Sequence, residues 1–277
     1  MAEQKVLYEG LLSKWKSPFC FELAGQTFHL VMDDGHEYLL NFVSGEIVMW
    51  SERGEPARWE HYECLKGDET TYFINAEMHG FKYRTGATLV LDTEQRLVTM
   101  LIATHGENPK HPFMVTQRFI FGAIKMDGEE LPRKRHGYTM DMAGTRITWA
   151  YDERFVVTHV YYHPNYYRMG PMAASRQLTP EQIAAREKNP TDEPSTYIKI
   201  KENLYLFSFN EKTHFLREGG NGNDMTLLID TARMHDVGRS FGLDGRTRIP
   251  ENYMFSAIGT WAESDGEIEN KPSAYRV

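Results

Sequence analysis

Apolar and polar residues alternate over short stretches almost from end to end of this chain, and a period of two is the mark of strands with one buried face. In the first half the runs Thr27–Met32, Glu37–Phe42, Thr71–Met78, Thr88–Asp92, Leu97–Ala103 and Val115–Ala123 carry it. Between or beyond such runs stand Asp34-Gly35, Ser44-Gly45, Asp127-Gly128 and Asp244-Gly245, residue pairs that tolerate the positive φ of hairpin turns. Short strands joined by tight turns predict an antiparallel meander, hence an all-β sandwich or barrel. A doubly wound α/β fold would need a helix after nearly every strand.

The second half repeats the first in outline. Leu23-Ala24-Gly25 before one strand resembles Met142-Ala143-Gly144 before another, and Thr88-Leu-Val-Leu-Asp92-Thr93 resembles Thr226-Leu-Leu-Ile-Asp230-Thr231. A strand with a carboxylate precedes each of the latter, Tyr72…Glu77 and Tyr205…Glu211. Unequal spacing makes this a weak duplication signal. It divides the chain into a β-barrel unit at 1–125, a linker at 126–135 and a second barrel at 136–277. One segment departs from the pattern, the insertion at 171–194. Within it Thr179 suits an N-cap, Pro180 the first helical position and Gln182 a capping box, while Pro190 ends the run, so a short helix is expected there, as a connector or a flap.

Composition narrows the function. The chain has 277 residues and a formal charge of −8, which supplies no basic field for nucleic acid or anionic membranes. No apolar run approaches the ~20 residues of a spanning helix, and MAEQKVLYEG does not read as a secretory signal. With only Cys20 and Cys64 present and no open glycosylation acceptor, a cytoplasmic location is expected and both thiols are read as inert rather than disulfide-bonded.

Gly238-Arg-Ser240-Phe-Gly242 matches the nucleophile-elbow pattern of hydrolases, yet no helical segment follows it and no later histidine exists, so it is read as a turn between strands. Metal-ligand spacings and nucleotide-binding glycine patterns are absent, and neither a metal nor another cofactor is expected. What remains is a set of titratable residues among aromatic ones. Alternation puts Tyr205, Phe207, Phe209 and Glu211 on one strand face; desolvation there would raise the Glu211 carboxyl into the range of a general acid or base. Glu77 presents the same choice between catalysis and ion pairing. His159 shares a face with Val157 and Tyr161, as a core histidine or a proton-transfer group. Trp50, Trp149, Tyr38, Tyr161, Tyr166 and Tyr167 are candidates for stacking on a flat ligand, and Arg118 for an anionic ligand group or a surface ion pair.

The second half resembles the C-terminal domain of the MoaF family through Asp141–Tyr151, Thr158-His-Val-Tyr161, Glu202–Lys212 and Asp230…Arg233…Gly238…Phe241-Gly242. The first half resembles the family's N-terminal domain through Leu23-Ala-Gly25, Phe28-His-Leu30 and Asp33-Asp-Gly35. This resemblance implies two calycin (lipocalin-like) barrels in tandem, a fold that holds one small hydrophobic ligand. Lipocalin-like barrels include pure carriers as well as phenolic acid decarboxylases, so fold leaves the chemistry open. The expectation is a cofactor-free acid/base enzyme of lyase, decarboxylase or isomerase type acting on a small aromatic or hydrophobic molecule, with Glu211 moving a proton, helped by His159 and a tyrosine such as Tyr205. The alternative is a carrier or sensor; homodimerisation through a barrel without a cavity is a further option.

Overall fold

The computed structural model describes residues 17–152, 155–174, 179–181, 184, 191–211, 222–244, 247–262 and 268–269, with 171–174 and 268–269 by backbone alone. Alternating side chains close two sheets upon themselves. The first barrel runs β1 (Thr27–Met32), β2 (Glu37–Phe42), β3 (Ile47–Glu52), β4 (Arg58–Lys66), β5 (Thr71–Met78), β6 (Arg84–Asp92), β7 (Leu97–His105) and β8 (Val115–Lys125). Each strand is antiparallel to the next, and β8 returns to β1. After β9 (Gly137–Tyr138) the second barrel runs β10 (Thr145–Asp152), β11 (Phe155–His163), β12 (Tyr166–Ala174), β13 (Asp192–Lys201), β14 (Leu204–Asn210), β15 (Asp224–Asp230), β16 (His235–Leu243) and β17 (Pro250–Ala262). It is closed by β10 against β17, with β9 laid on β13 and β18 (Ile268–Glu269) on β17. No helix among the described residues is long and apolar enough to cross a membrane.

Two sequence readings change. Gly238–Gly242 is no turn: it lies inside β16, paired throughout with β17 and, up to Phe241, with β15 as well. The insertion expected at 171–194 is shorter, because 171–174 complete β12 and 192–194 open β13; within it Thr179 is not helical, as suits an N-cap, Pro180, Glu181 and Ala184 are helical, and 175–178, 182–183 and 185–190 lie outside the described residues.

The repeat is real at the level of single hydrogen bonds. Gly25 N–H donates to Phe42 O at 2.7 Å, and Gly144 N–H donates to Tyr161 O at 2.6 Å. Both glycines have positive φ, 80° and 90°, which lets the chain turn sharply into β1 and β10. Further on, Asp92 Oδ1 accepts N–H groups of Glu94 and Gln95, as Asp230 Oδ1 does from Ala232 and Arg233. Ladder pairing then equates Thr71 with Leu204, each opposite the matching aspartate. Under that register Tyr72 matches Tyr205, but Glu77 matches Asn210 and Glu211 matches Met78. The two carboxylates that look equivalent in sequence therefore face opposite ways.

The barrels meet along a shared wall. Outward side chains Leu65, Phe73 and Val90 of the first pack on Leu206, Leu228 and Val237 of the second. Strands β5 and β6 are consequently buried on both faces, as are β14 to β16. A polar patch interrupts the wall: Arg239 pairs with Asp224, both side chains 0% exposed, and Gln117 Nε2 donates to Asp224 Oδ1 at 2.6 Å and to Ser208 Oγ at 2.8 Å. Gly86 faces this patch because any Cβ there would lie 2.7 Å from Arg239 Nη1.

Candidate functional site in the second barrel

The interiors of the two barrels differ in chemistry although their backbones correspond. Inside the first stand Leu30, Leu40, Phe42, Val48, Ile74, Ala76 and Val98, all buried in one apolar cluster. Register places Trp149, His159, Tyr161, Tyr167, Phe207, Phe209 and Asp236 at those same positions in the second. Leucine is thus exchanged for histidine, phenylalanine and valine for tyrosines, and valine for an aspartate.

These residues touch. Phe207 is the hub, with ring centroids 5.0 Å from Tyr161, 5.1 Å from Tyr167, 5.1 Å from Tyr197 and 5.3 Å from Phe209. Trp149 Nε1 donates to the Tyr161 hydroxyl at 3.0 Å, and His159 Nδ1 lies 3.2 Å from the same oxygen. Asp236 receives the Tyr151 hydroxyl on Oδ2 at 3.5 Å, a long contact. Asp236 Oδ1 and the Tyr167 hydroxyl are buried with no partner among the described residues. An unpartnered buried polar group costs about 1–3 kcal/mol, so each marks a place where a guest's polar group would be stabilised.

Electrostatics follows from burial. Desolvation pushes the Asp236 carboxyl well above the usual carboxylate range, and the same cause drives the Tyr151, Tyr161 and Tyr167 phenols well up. His159, desolvated on all sides, is pushed down to about 3 and is neutral through the physiological range. His159 is therefore neutral, and the Asp236 carboxyl is poised to keep a proton at a pH where an exposed aspartate has lost it.

The sequence candidates separate into groups. His159, Tyr161, Trp149, Phe207 and Phe209 come together in this cluster. Glu211 stands half-buried just past the end of β14, on the inward-facing register, where its charge acts on the Tyr167 and Tyr253 phenols. Tyr205 faces inward at the opposite end of β14, and its hydroxyl donates to Asp141 Oδ2 at 3.4 Å while Lys199 Nζ binds the same carboxylate at 2.7 Å. The first barrel repeats this latch with Tyr72, Glu22 and Lys66, which identifies a structural closure at the barrel end.

Glu77 lies on the outer wall of the first barrel, gripped by Arg84 at 2.6 and 2.8 Å; Arg84 also donates to Gly242 O and Glu251 O of the second barrel. It braces the two domains. Trp50 and Tyr38 sit inside the first barrel, ring centroids 6.2 Å apart, and Tyr38 borders an outer groove of about 450 Å³ with His29 and Arg53. Arg118 is a surface residue, 3.7 Å from Asp34. Tyr166 is 43% exposed, unlike its fully buried neighbour Tyr167.

Asp236 was not among the sequence candidates. On β16 the polar set Asp236, Gly238, Ser240 faces the barrel interior, while Val237, Arg239 and Phe241 face the other barrel. Alternation alone assigns the apolar face to the core, so the polarity of this strand reads inverted. The usable signal was the match of Asp230 to Asp92, which carries Asp236 onto the core valine Val98. Among the described residues no group of three or more His, Cys, Asp or Glu side chains is placed to hold a metal ion.

Comparison with known sequences agrees with this architecture. The MoaF N-terminal domain profile matches residues 6–107 and the MoaF C-terminal domain profile matches residues 136–264. No curated protein matches the chain. Each profile falls on one barrel and together they span most of the sequence, so the chain belongs to the MoaF family.

Proposed function

We propose that the second barrel is an acid/base active site for a small aromatic or hydrophobic molecule, with Asp236 as the group that holds and delivers the proton. The observation that carries this reading is the fully buried Asp236, its Oδ1 without a partner among the described residues and its charge felt by the Tyr151 and Tyr161 phenols, in a position where the repeat has valine. Burying a carboxyl without full pairing destabilises a fold, and valine is a ready structural solution at that position. A raised carboxyl pKa is also what proton transfer near neutrality requires. Aromatic ring faces around Phe207 would hold a planar substrate, and the Tyr167 hydroxyl would bond its polar end. Glu211 and His159 keep supporting places in this scheme: Glu211 as a charge at the barrel end, His159 as the neutral partner that orients Tyr161.

Chemistry of the lyase, decarboxylase or isomerase type fits a single proton-bearing carboxyl. The neutral, non-titrating His159 favours a second reading, a carrier that binds such a molecule unchanged. A thermal-shift panel of phenolic acids, aromatic amines and aldehydes, followed by mass spectrometry of each mixture, separates the two. With Asp236→Asn, a retained thermal shift and loss of product support the assignment. Unchanged product formation would remove Asp236 from the chemistry, and stabilisation without product in the unaltered protein would favour the carrier.

A further inference from the structure

The first barrel carries chemistry of its own at its base. Cys20 N–H donates to Cys64 O at 2.8 Å, which brings the segment before β1 against β4 at these two residues, and both side chains enter the same core cluster. Backbone segments joined by such a bond hold their Cα atoms about 5.5 Å apart, inside the range of about 4.4–6.8 Å that a disulfide spans. The corresponding backbone bond in the second barrel joins Thr139 N–H to Tyr197 O at 3.1 Å. There the sequence places a threonine and a tyrosine; only the first barrel puts two thiols on this frame. Cys20 is 8% exposed and Cys64 1%, so a small oxidant reaches Cys20 first.

We propose that Cys20 and Cys64 are a reversible redox site, closing to an intramolecular disulfide under hydroperoxide and reopening with a dithiol reductant. The thiols lie within mutual hydrogen-bonding reach, and Cys64 acting on Cys20 brings the Cys20 thiol down to about 7, while burial pushes Cys64 well up. Cys20 is therefore the attacking thiolate and Cys64 the resolving thiol. Cys20 sulfur attacks one oxygen of hydrogen peroxide, the O–O bond breaks, and the departing hydroxide takes up the proton released by Cys20 to leave water and a sulfenic acid. Cys64 sulfur then attacks the Cys20 sulfur, the S–O bond breaks, and the hydroxyl departs with the Cys64 proton as a second water. Two thiols are oxidised and one peroxide is reduced.

The bond would fasten the segment that ties the barrels together. Ser17 N–H donates to Ser256 Oγ at 2.6 Å and Ser17 Oγ lies 2.7 Å from His235 Nε2, both in the second barrel; Phe19 packs against the shared wall and Leu23 is fully buried in the first. Oxidation would anchor this strap covalently to β4.

The test treats the full chain with hydrogen peroxide, quenches it in denaturant with an alkylating agent, and maps peptides by mass spectrometry with and without subsequent dithiothreitol. The expected result is a monomeric species lacking two hydrogens, no alkylation of either cysteine, a peptide linking Cys20 to Cys64, and full recovery of two alkylatable thiols on reduction. Cys64→Ala should then accumulate Cys20 sulfenic acid, trapped by dimedone, and Cys20→Ala should leave Cys64 alkylatable. Two alkylatable thiols after peroxide, a sulfinic or sulfonic product in the unaltered chain, or a disulfide only between chains would each overturn the proposal.

Discussion

Replacing His159 by leucine, the residue its counterpart Leu40 supplies in the first barrel, should invert the relative stability of variant and parent across the acid range. Above pH 6.5 the imidazole is neutral whether the chain is folded or not, so the variant loses only the contact with the Tyr161 hydroxyl, about 1 kcal/mol; Tyr161 keeps the Trp149 donor. As pH falls below 6.5 the unfolded chain takes up a proton that the folded chain refuses until about pH 3. At about 1.36 kcal/mol for each pH unit, the parent has lost roughly 3 kcal/mol at pH 4 that the leucine variant retains. The variant should therefore be about 1 kcal/mol less stable at pH 7.5 and about 2 kcal/mol more stable at pH 4. Urea titrations at a series of pH values, followed by tryptophan fluorescence, measure both limbs. His235, itself pushed down to about 4, and Asp236 titrate in both proteins and cancel in the difference. Parallel stability curves for parent and variant would show that His159 is not desolvated and would refute the argument.

Two further substitutions test the shared wall and the latch. Asp224→Ala leaves the Arg239 guanidinium buried without its counter-ion, and equilibrium unfolding should show a loss of about 3–5 kcal/mol. Tyr205→Phe removes a long hydrogen bond at the barrel end remote from Glu211, so stability should fall by no more than about 1 kcal/mol and ligand shifts and product yields should match the parent; a collapse of turnover at unchanged stability would return Tyr205 to the mechanism.

Much of the fold was legible in the chain because inward and outward residues alternate cleanly where one strand face meets water. Thr27–Met32 and Glu37–Phe42 were read with their observed bounds for this reason. On β4, polar Arg58, Glu60, His61 and Glu63 hid the strand, since Glu60 points inward and is held there by His79 at 2.5 and 2.8 Å. Strands of the shared wall defeat a simple alternation argument in another way. Both faces of β16 are buried, so Val237 and Phe241 mark the neighbouring barrel and not the interior, and Asp236 was passed over. Aromatic members of the site were found because Phe207 and Phe209 lie two apart on a strand whose inward face is uniformly aromatic. The Glu77 and Glu211 pairing failed for want of one residue of register, which reverses the direction of a side chain in a sheet. Cys20 and Cys64 lie far apart in sequence, and no local pattern reveals that β4 and the strap before β1 are neighbours.

The doubly buried wall also sets a schedule for synthesis. When β8 has left the ribosome the first barrel has every strand it needs to close, yet the outer faces of β5 and β6, with Phe73 and Val90, still face solvent because their cover has not been made. Chain growth of about 5–20 residues per second leaves roughly 7–27 s before β17 is complete and the second barrel can dock. During that interval the nascent chain displays an apolar strip studded with Asn75 and Thr88, whose side-chain oxygens have no partner among the described residues even in the finished fold. Water can serve those oxygens while the strip is bare, so the same polar residues that interrupt the wall keep the half-made protein from presenting an unbroken adhesive face to its neighbours on the polysome.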